Sequence, residues 1–201
     1  MPAPIKVLKP VGFLLCLAPL GFLIWQIVYS PESFSADPYG DITDRTGDWT
    51  LRFVLITLAV TPLRQFTGWN SAIRFRRMLG LFAFFYGFVH FMSYVWFTKY
   101  FNIQEIVEDV VKRPFITVGF TGFVLLIPLA ITSTKKWIPR IGAKRWLRLH
   151  QAIYITGILG VIHYIWRVKS DIRNPLIYAV LLSLLLGYRL WHKFRTAPVI
   201  R

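Results

Sequence analysis

Six apolar runs alternate with short polar stretches along the chain. Each is near the roughly 20 residues that a helix needs to cross a hydrocarbon core. They fall at about 10–29, 49–66, 78–98, 115–133, 147–166 and 174–193. The pattern predicts a helix over each, hence an all-α membrane protein, a six-helix transmembrane bundle. Pro62 and Pro128 lie within or near helix ends, where they can kink a span without ending it. The first run follows Lys6 and Lys9, as the apolar part of a signal peptide does, but it is long for that role and is read as a retained first helix. No extramembrane segment is long enough for a second globular domain, so residues 1–201 are read as a single transmembrane domain without an internal repeat.

Composition agrees: 55% of the 201 residues are hydrophobic, too many for a soluble domain of this size. The single cysteine, Cys16, excludes an intrachain disulfide and any multi-cysteine zinc or iron–sulfur site. The net charge of +15 could suggest nucleic acid, but its placement argues against that. With the N-terminus in the cytoplasm and the runs alternating, the cytoplasmic segments hold Lys6, Lys9, Arg64, Arg74, Arg76, Arg77, the six cations from Lys135 to Arg148, and Arg189, Lys193, Arg195 and Arg201. All nine acids fall on the opposite side. This is the positive-inside signature. It places both termini in the cytoplasm and gives the basic groups membrane lipid headgroups, not nucleic acid, as partners.

Three histidines then need a reason. His90 lies in RRMLGLFAFFYGFVHFMSYVWF, and His150 and His163 lie in WLRLHQAIYITGILGVIHYIW. A polar group in hydrocarbon is costly without a partner, which makes such residues functional candidates. His90 follows Arg77 by 13 residues, which at about 1.5 Å per residue is roughly 20 Å into the membrane. His163 precedes Arg167, at the outer edge, by four. Both fall in the outer leaflet and can face each other across a flat ligand. Gly87 and Gly160 each stand three residues before one of these histidines, on the same helix face, and can leave room for a porphyrin; glycine also simply favours close helix packing. Two neutral imidazoles would fill both axial positions of a haem, which then passes single electrons and has no open site for oxygen chemistry. Zinc would want three or four tetrahedral ligands, and no carboxylate or thiol lies at this depth. Hydrogen-bonding histidines within the bundle, or a proton relay, are the remaining alternatives.

His150 sits at the cytoplasmic end, about 140° around an ideal helix from His163. A second haem there would need its other ligand at Arg76 or Arg77, and guanidinium cannot ligate iron. Arg74, Arg76, Arg77 and Arg148, with Lys144 and Arg145, suit an anion such as a flavin phosphate, or serve only topology and lipid headgroups. His192, in YRLWHKFR, is read as an interfacial residue.

The runs TGDWTLRFVLITLAVTPLR, IRFRRMLGLFAFFYGFVHFMSYVWF, KRPFITVGFTGFVLLIPLAITST and WLRLHQAIYITGILGVIHYIWRVK resemble the MsrQ family. Its members are the haem-binding membrane subunits of the bacterial periplasmic protein-methionine-sulfoxide reductase system, similar to ferric reductase and NADPH oxidase transmembrane domains. The likeness covers roughly residues 36–195; the first helix matches only in character. It implies six helices in the bacterial inner membrane, haem b and FMN. It places the family's haem histidines on His90 and His163, and its third histidine on His150. It implies a periplasmic molybdenum-cofactor subunit that reduces methionine sulfoxide as partner, with the quinone pool or a cytoplasmic flavin reductase as electron donor. Relative to the two-haem oxidases the third helix lacks an inner-side histidine, and no nucleotide-binding domain is expected after the last helix. The expectation is an electron-transfer subunit that is not catalytic alone. The rivals are a stand-alone ferric or quinone reductase-type haem protein and a non-redox transporter or scaffold.

Overall fold

The computed structural model describes residues 5–168 and 170–195, with residues 5 and 6 described by backbone alone. The Lys6 side chain and Arg201, both part of the charge argument, lie outside the described residues. All regular structure among the described residues is helical: α1 (Ile5–Tyr29), α2 (Pro38–Thr67), α3 (Arg76–Ser93) continued by a π-turn (Tyr94–Thr98), α4 (Ile103–Lys112), α5 (Pro114–Ile131), α6 (Trp137–Ile141), α7 (Ala143–His150), α8 (Ala152–Arg167) and α9 (Arg173–Arg195). Short 3-10 turns precede α2 and α3.

Among the described residues four stretches are long and apolar enough to cross a membrane: Val7–Tyr29, Arg76–Thr98, Pro114–Ile131 and Arg173–Arg195. The second and fifth expected spans differ for separate reasons. α2 carries Asp41, Asp44, Arg45, Asp48 and Arg52 in its first half. α8 is only 16 residues long, because the expected fifth helix is broken at Gln151 into α7 and α8. The 140° relation between His150 and His163 on one ideal helix therefore does not apply.

α2 begins well before the expected residue 49. Pro38 occupies its first turn and the Asp37 carboxylate accepts the Gly40 amide at 2.9 Å, a cap that starts a helix regardless of the polar residues that follow. It ends at Gly68, whose φ of 68° suits a residue without a Cβ. Pro62 inside α2 removes the amide that the Leu58 carbonyl would otherwise bond. Arg189 of α9 replaces it, its Nη2 donating to that carbonyl at 2.6 Å.

The closest packing is α2 against α3 and α5 against α8. Phe53, Val54 and Leu58 meet Phe82, Ala83 and Tyr86 in the first pair, and Leu126, Ile153 and Val161 extend the core through the second. Tyr86 also ties α1 to this core. Its hydroxyl stands between two groups of one α1 turn, accepting from the Leu20 amide at 3.1 Å and donating to the Cys16 carbonyl at 2.9 Å.

α4, within the acid-bearing stretch between α3 and α5, was not among the expected helices. Its Ile103, Val107 and Val111 form an exposed stripe, while Asp109 is buried on the other side. Lys99 reaches Asp109 at 2.8 Å, Arg113 at 3.2 Å, and the Tyr94 hydroxyl donates to it at 2.9 Å. Polar-in and apolar-out is the reverse of a soluble surface helix. With exposed Trp96, Tyr100 and Phe101 beside it, the stripe has the composition of a membrane-interface helix.

Candidate functional site

A cavity of about 770 Å³ lies among α2, α3, α5 and α8 on the acid-bearing side of the molecule. His90 of α3 and His163 of α8 both line it. Their ring centroids are 6.1 Å apart, and the ring planes cross at 77°. His90 Nδ1 bonds the Thr43 carbonyl of α2 at 2.8 Å, and His163 Nδ1 bonds the Phe115 carbonyl of α5 at 2.7 Å. A carbonyl can only accept, so each Nδ1 carries the proton and each Nε2 presents a bare lone pair. Neither Nε2 has a hydrogen-bond partner among the described residues. Tethering one ring nitrogen to a carbonyl so that the other can bind a metal is the usual way proteins orient a histidine ligand.

The spacing of the rings suits one shared ion. With each imidazole nitrogen roughly 2.0 Å from a shared ion and each ring centroid about 1.1 Å beyond, two such rings have centroids up to about 6 Å apart, and His90 and His163 stand at that separation. No group of three or more His, Cys, Asp or Glu that could hold a metal ion occurs among the described residues, so a tetrahedral zinc site has too few ligands here. The lining is apolar and aromatic around the histidines, with Leu51, Val54, Phe91, Phe120, Phe123 and Leu126. The volume falls within the roughly 300–1,000 Å³ of small-molecule and cofactor sites. His90 and His163 would be the residues to hold a flat macrocyclic iron complex, and the apolar, aromatic lining suits one.

Two glycines that the sequence reading passed over make the tethers possible. A Cβ added at Gly119 would lie 2.6 Å from Nδ1 of His163, and one at Gly47 would lie 3.0 Å from Nδ1 of His90. Each glycine comes four residues after the accepting carbonyl, Gly47 after Thr43 and Gly119 after Phe115. In a helix the residue at i+4 stands over the carbonyl of residue i, so a side chain there would bar the imidazole. The two halves repeat the device: a histidine on the second helix of a packed pair reaches back 47 residues in one case and 48 in the other.

Gly87 and Gly160 also line the cavity, but neither makes room for a histidine. A Cβ at Gly87 would meet Thr50, Leu126 and Phe123 at 3.4–3.6 Å, and one at Gly160 would meet Leu51 at 3.3 Å. Both are places where α2 comes close to its neighbours. The rim carries charge: Arg167 pairs with Asp44 at 2.6 Å, and Arg52 bridges Asp48 at 3.5 Å and the Tyr178 hydroxyl at 2.8 Å.

His150 is set up differently. Its Nε2 bonds Thr132 Oγ1 at 3.0 Å, and the ring stacks on Trp146 with centroids 3.9 Å apart. Thr132 donates its own proton to the Pro128 carbonyl at 2.6 Å, so it accepts from His150 and the Nε2 of that ring is committed as a donor. Arg76 and Arg77 stand near enough for their charges to act on His150. Arg74, Arg77 and Arg148 are exposed, whereas Arg76 is half-buried. His192 is at the same end, its Nε2 3.1 Å from Gln65 Nε2, joining α9 to α2.

Comparison with known proteins places this geometry. A family model described as "Ferric reductase like transmembrane component" matches residues 46–161. Among the relatives is a protein of Xanthomonas campestris pv. campestris strain 8004, named protein-methionine-sulfoxide reductase heme-binding subunit MsrQ. It is 53% identical over 181 residues, covering 88% of this chain and 83% of its own. The MsrQ of Herminiimonas arsenicoxydans is 47% identical over 197 residues, covering 96% and 89%. The chain belongs to the MsrQ family. The family-model match takes in Gly47, His90, Gly119 and His150 and stops two residues short of His163. A further MsrQ, from Xanthomonas euvesicatoria pv. vesicatoria, is 50% identical over 189 residues, covering 94% and 86%. No solved structure matches the chain.

Proposed function

We propose that this MsrQ-family chain is the membrane electron-transfer subunit of a protein-methionine-sulfoxide reductase. It crosses the bacterial inner membrane six times as one transmembrane domain, with both termini in the cytoplasm. The observation that carries the reading is that His90 and His163 line one cavity with ring centroids 6.1 Å apart, each tethered at Nδ1 and each with Nε2 bare. These two nitrogens would hold haem b, which would supply one-electron transfer. The rest is done by the chain. Thr43 and Phe115 fix the proton on Nδ1 of each ring, Gly47 and Gly119 let the rings reach their carbonyls, and the aromatic lining limits water. Gly87 and Gly160 form part of the wall.

At the basic end, FMN is the second cofactor, with Arg74, Arg76, Arg77 and Arg148 around its phosphate and His150 on the flavin side. The donor is the quinone pool or a cytoplasmic flavin reductase. The acceptor is the periplasmic molybdenum-cofactor subunit, which carries out the reduction of methionine sulfoxide. The chain is a conduit and not catalytic alone.

The test is spectroscopic and then functional. Purified protein is expected to show a low-spin b-type spectrum and to reduce methionine sulfoxide only with the soluble subunit and an electron donor present. A protein that takes up no haem on supplementation refutes the reading. Turnover of ferric ion or quinone at full rate without the soluble subunit would make it a stand-alone reductase.

A further inference from the structure

Arg76 at the start of α3 and Arg189 near the end of α9 are both half-buried. Their like charges act on each other, and Arg189 packs on Tyr154. Neither takes part in an ion pair among the described residues, and all nine carboxylates of the chain belong to segments at the opposite end. Two half-buried guanidinium groups at the same edge of an apolar bundle repel each other and are incompletely solvated. Among the described residues no negative charge answers them.

Arg189 is pre-positioned for one. Its Nη2 is fixed on the Leu58 carbonyl freed by Pro62, and its Nη1 donates to the Tyr154 hydroxyl at 3.1 Å. Its guanidinium carbon lies 5.2 Å from the Tyr154 ring centroid. The third donor, Nε, is buried and has no partner. Thr61 lies one turn beyond Leu58 on α2, and its hydroxyl is also buried without a partner. A held guanidinium whose Nε–H is unused, near a second guanidinium, suits a compact multi-oxygen anion better than a chloride or a single carboxylate.

We propose that Arg76 and Arg189 together hold a phosphate group at the basic end of the bundle. The phosphate can belong to a flavin mononucleotide or to a membrane lipid headgroup. The site shares Arg76 with the flavin reading above but does not depend on it. It makes Arg189 a binding residue, which the exposed arginines at this end are not placed to replace.

Full-length protein in phosphate-free detergent is titrated with FMN and with riboflavin, which differs by lacking the phosphate. A second aliquot is incubated with phosphatidylglycerol vesicles, re-extracted and assayed for retained lipid phosphorus. Arg76→Gln and Arg189→Gln are compared with the parent. Arg189→Lys keeps a charge and a donor for Leu58 but loses the fork, and Lys193→Gln controls for net charge. If the phosphate is the flavin's, both Gln variants weaken FMN at least tenfold and leave riboflavin unchanged, with Arg189→Lys intermediate. If it is the lipid's, both lower retained phosphorus and FMN is unaffected or unbound even by the parent. That second outcome removes the flavin reading and keeps the phosphate site. Unchanged FMN affinity and unchanged lipid phosphorus in Arg189→Lys and Arg76→Gln, each with the parent's helical content, overturn the proposal.

Discussion

A Cβ on Gly119 would lie 2.6 Å from Nδ1 of His163, so this glycine and this histidine occupy space that only one of them can fill. The same holds, less tightly, for Gly47 and His90 at 3.0 Å. The first prediction follows from that order. Gly119→Ala is expected to displace the imidazole from the Phe115 carbonyl and lower haem occupancy by about tenfold, in the range of lost orienting partners. Gly47→Ala should cost less, and Gly87→Ala, which meets only ordinary contacts, should leave occupancy near that of the parent. Haem-to-protein ratios of the three purified variants check the order.

The second prediction concerns the histidines. His90→Ala and His163→Ala should each abolish the low-spin b-type spectrum, because one remaining imidazole cannot fill both axial positions. His192→Ala, at the other end of the bundle, should keep it. Optical and electron paramagnetic resonance spectra of the reduced and oxidised proteins decide it.

The third prediction concerns pH. Burial alone would raise the Asp109 carboxyl, but hydrogen bonds from Lys99 and Tyr94 and the charges of Arg113 and Lys99 outweigh it and hold the group below its usual range. The hydrogen bond to Asp109 in turn raises Lys99. A depressed carboxyl contributes stability that is present above its unfolded value of about 3.9 and is lost as pH falls through the folded value. A raised ammonium contributes stability that is present below its unfolded value of about 10.4 and is lost as pH rises through the folded value. The clamp between α4 and the π-turn is therefore complete from about pH 4 to about pH 10. Asp109→Asn should lower stability by about 2 kcal/mol at neutral pH, since it leaves buried donors with a neutral partner. It should also flatten the acid side of the melting profile, read by thermal midpoints between pH 3 and pH 8.

Some of this was readable in the sequence, and the rest depended on pairing. The helical class follows from long apolar runs, and histidines stand out in such runs because polar groups are rare there. The start of α2 was missed because its first ten residues are polar; Asp37 and Pro38 carried the signal as a cap. α4 was missed because its apolar stripe repeats every four residues within an otherwise charged stretch. Gly47 and Gly119 could not be chosen from sequence by proximity to a histidine, since each serves a ring on another helix. A glycine four residues after an exposed carbonyl has meaning only once the helix beside it is known. Gly87 and Gly160, singled out as space for a porphyrin, line the cavity with the histidines, and a Cβ at either would meet side chains of α2 or α5.

The fourth prediction tests topology. By the expected topology 16 of the 24 Lys and Arg fall at one end and all nine acids at the other, which is expected to keep both termini in the cytoplasm. A reporter fused after the last residue should be active only in a cytoplasm-reporting format. A periplasm-active fusion would mean an odd number of crossings, and α2 or α8, the two expected spans outside the four apolar ones, would be the first to reassign.

The last prediction separates His150 from the other two histidines by which nitrogen is in use. In His90 and His163 the protein occupies Nδ1 and leaves Nε2 bare; in His150 it occupies Nε2, through Thr132, and the ring lies flat on Trp146. To ligate a metal through Nε2, His150 would have to give up Thr132, whose hydroxyl would then lose a partner in a part-buried position. Its neighbours Arg76 and Arg77 add repulsion for any cation and offer no lone pair. His150→Ala is therefore expected to keep a full haem complement and an unaltered dithionite-reduced spectrum. What it should change is the basic end: lower flavin content, and slower reduction by quinol or by a flavin reductase. Thr132→Val, which removes the acceptor but keeps the shape, should reproduce the slower reduction if the orientation of the ring is what matters. Haem quantification and flavin extraction on the same preparations give the answer, and loss of haem in His150→Ala with flavin retained would make His150 an iron ligand after all.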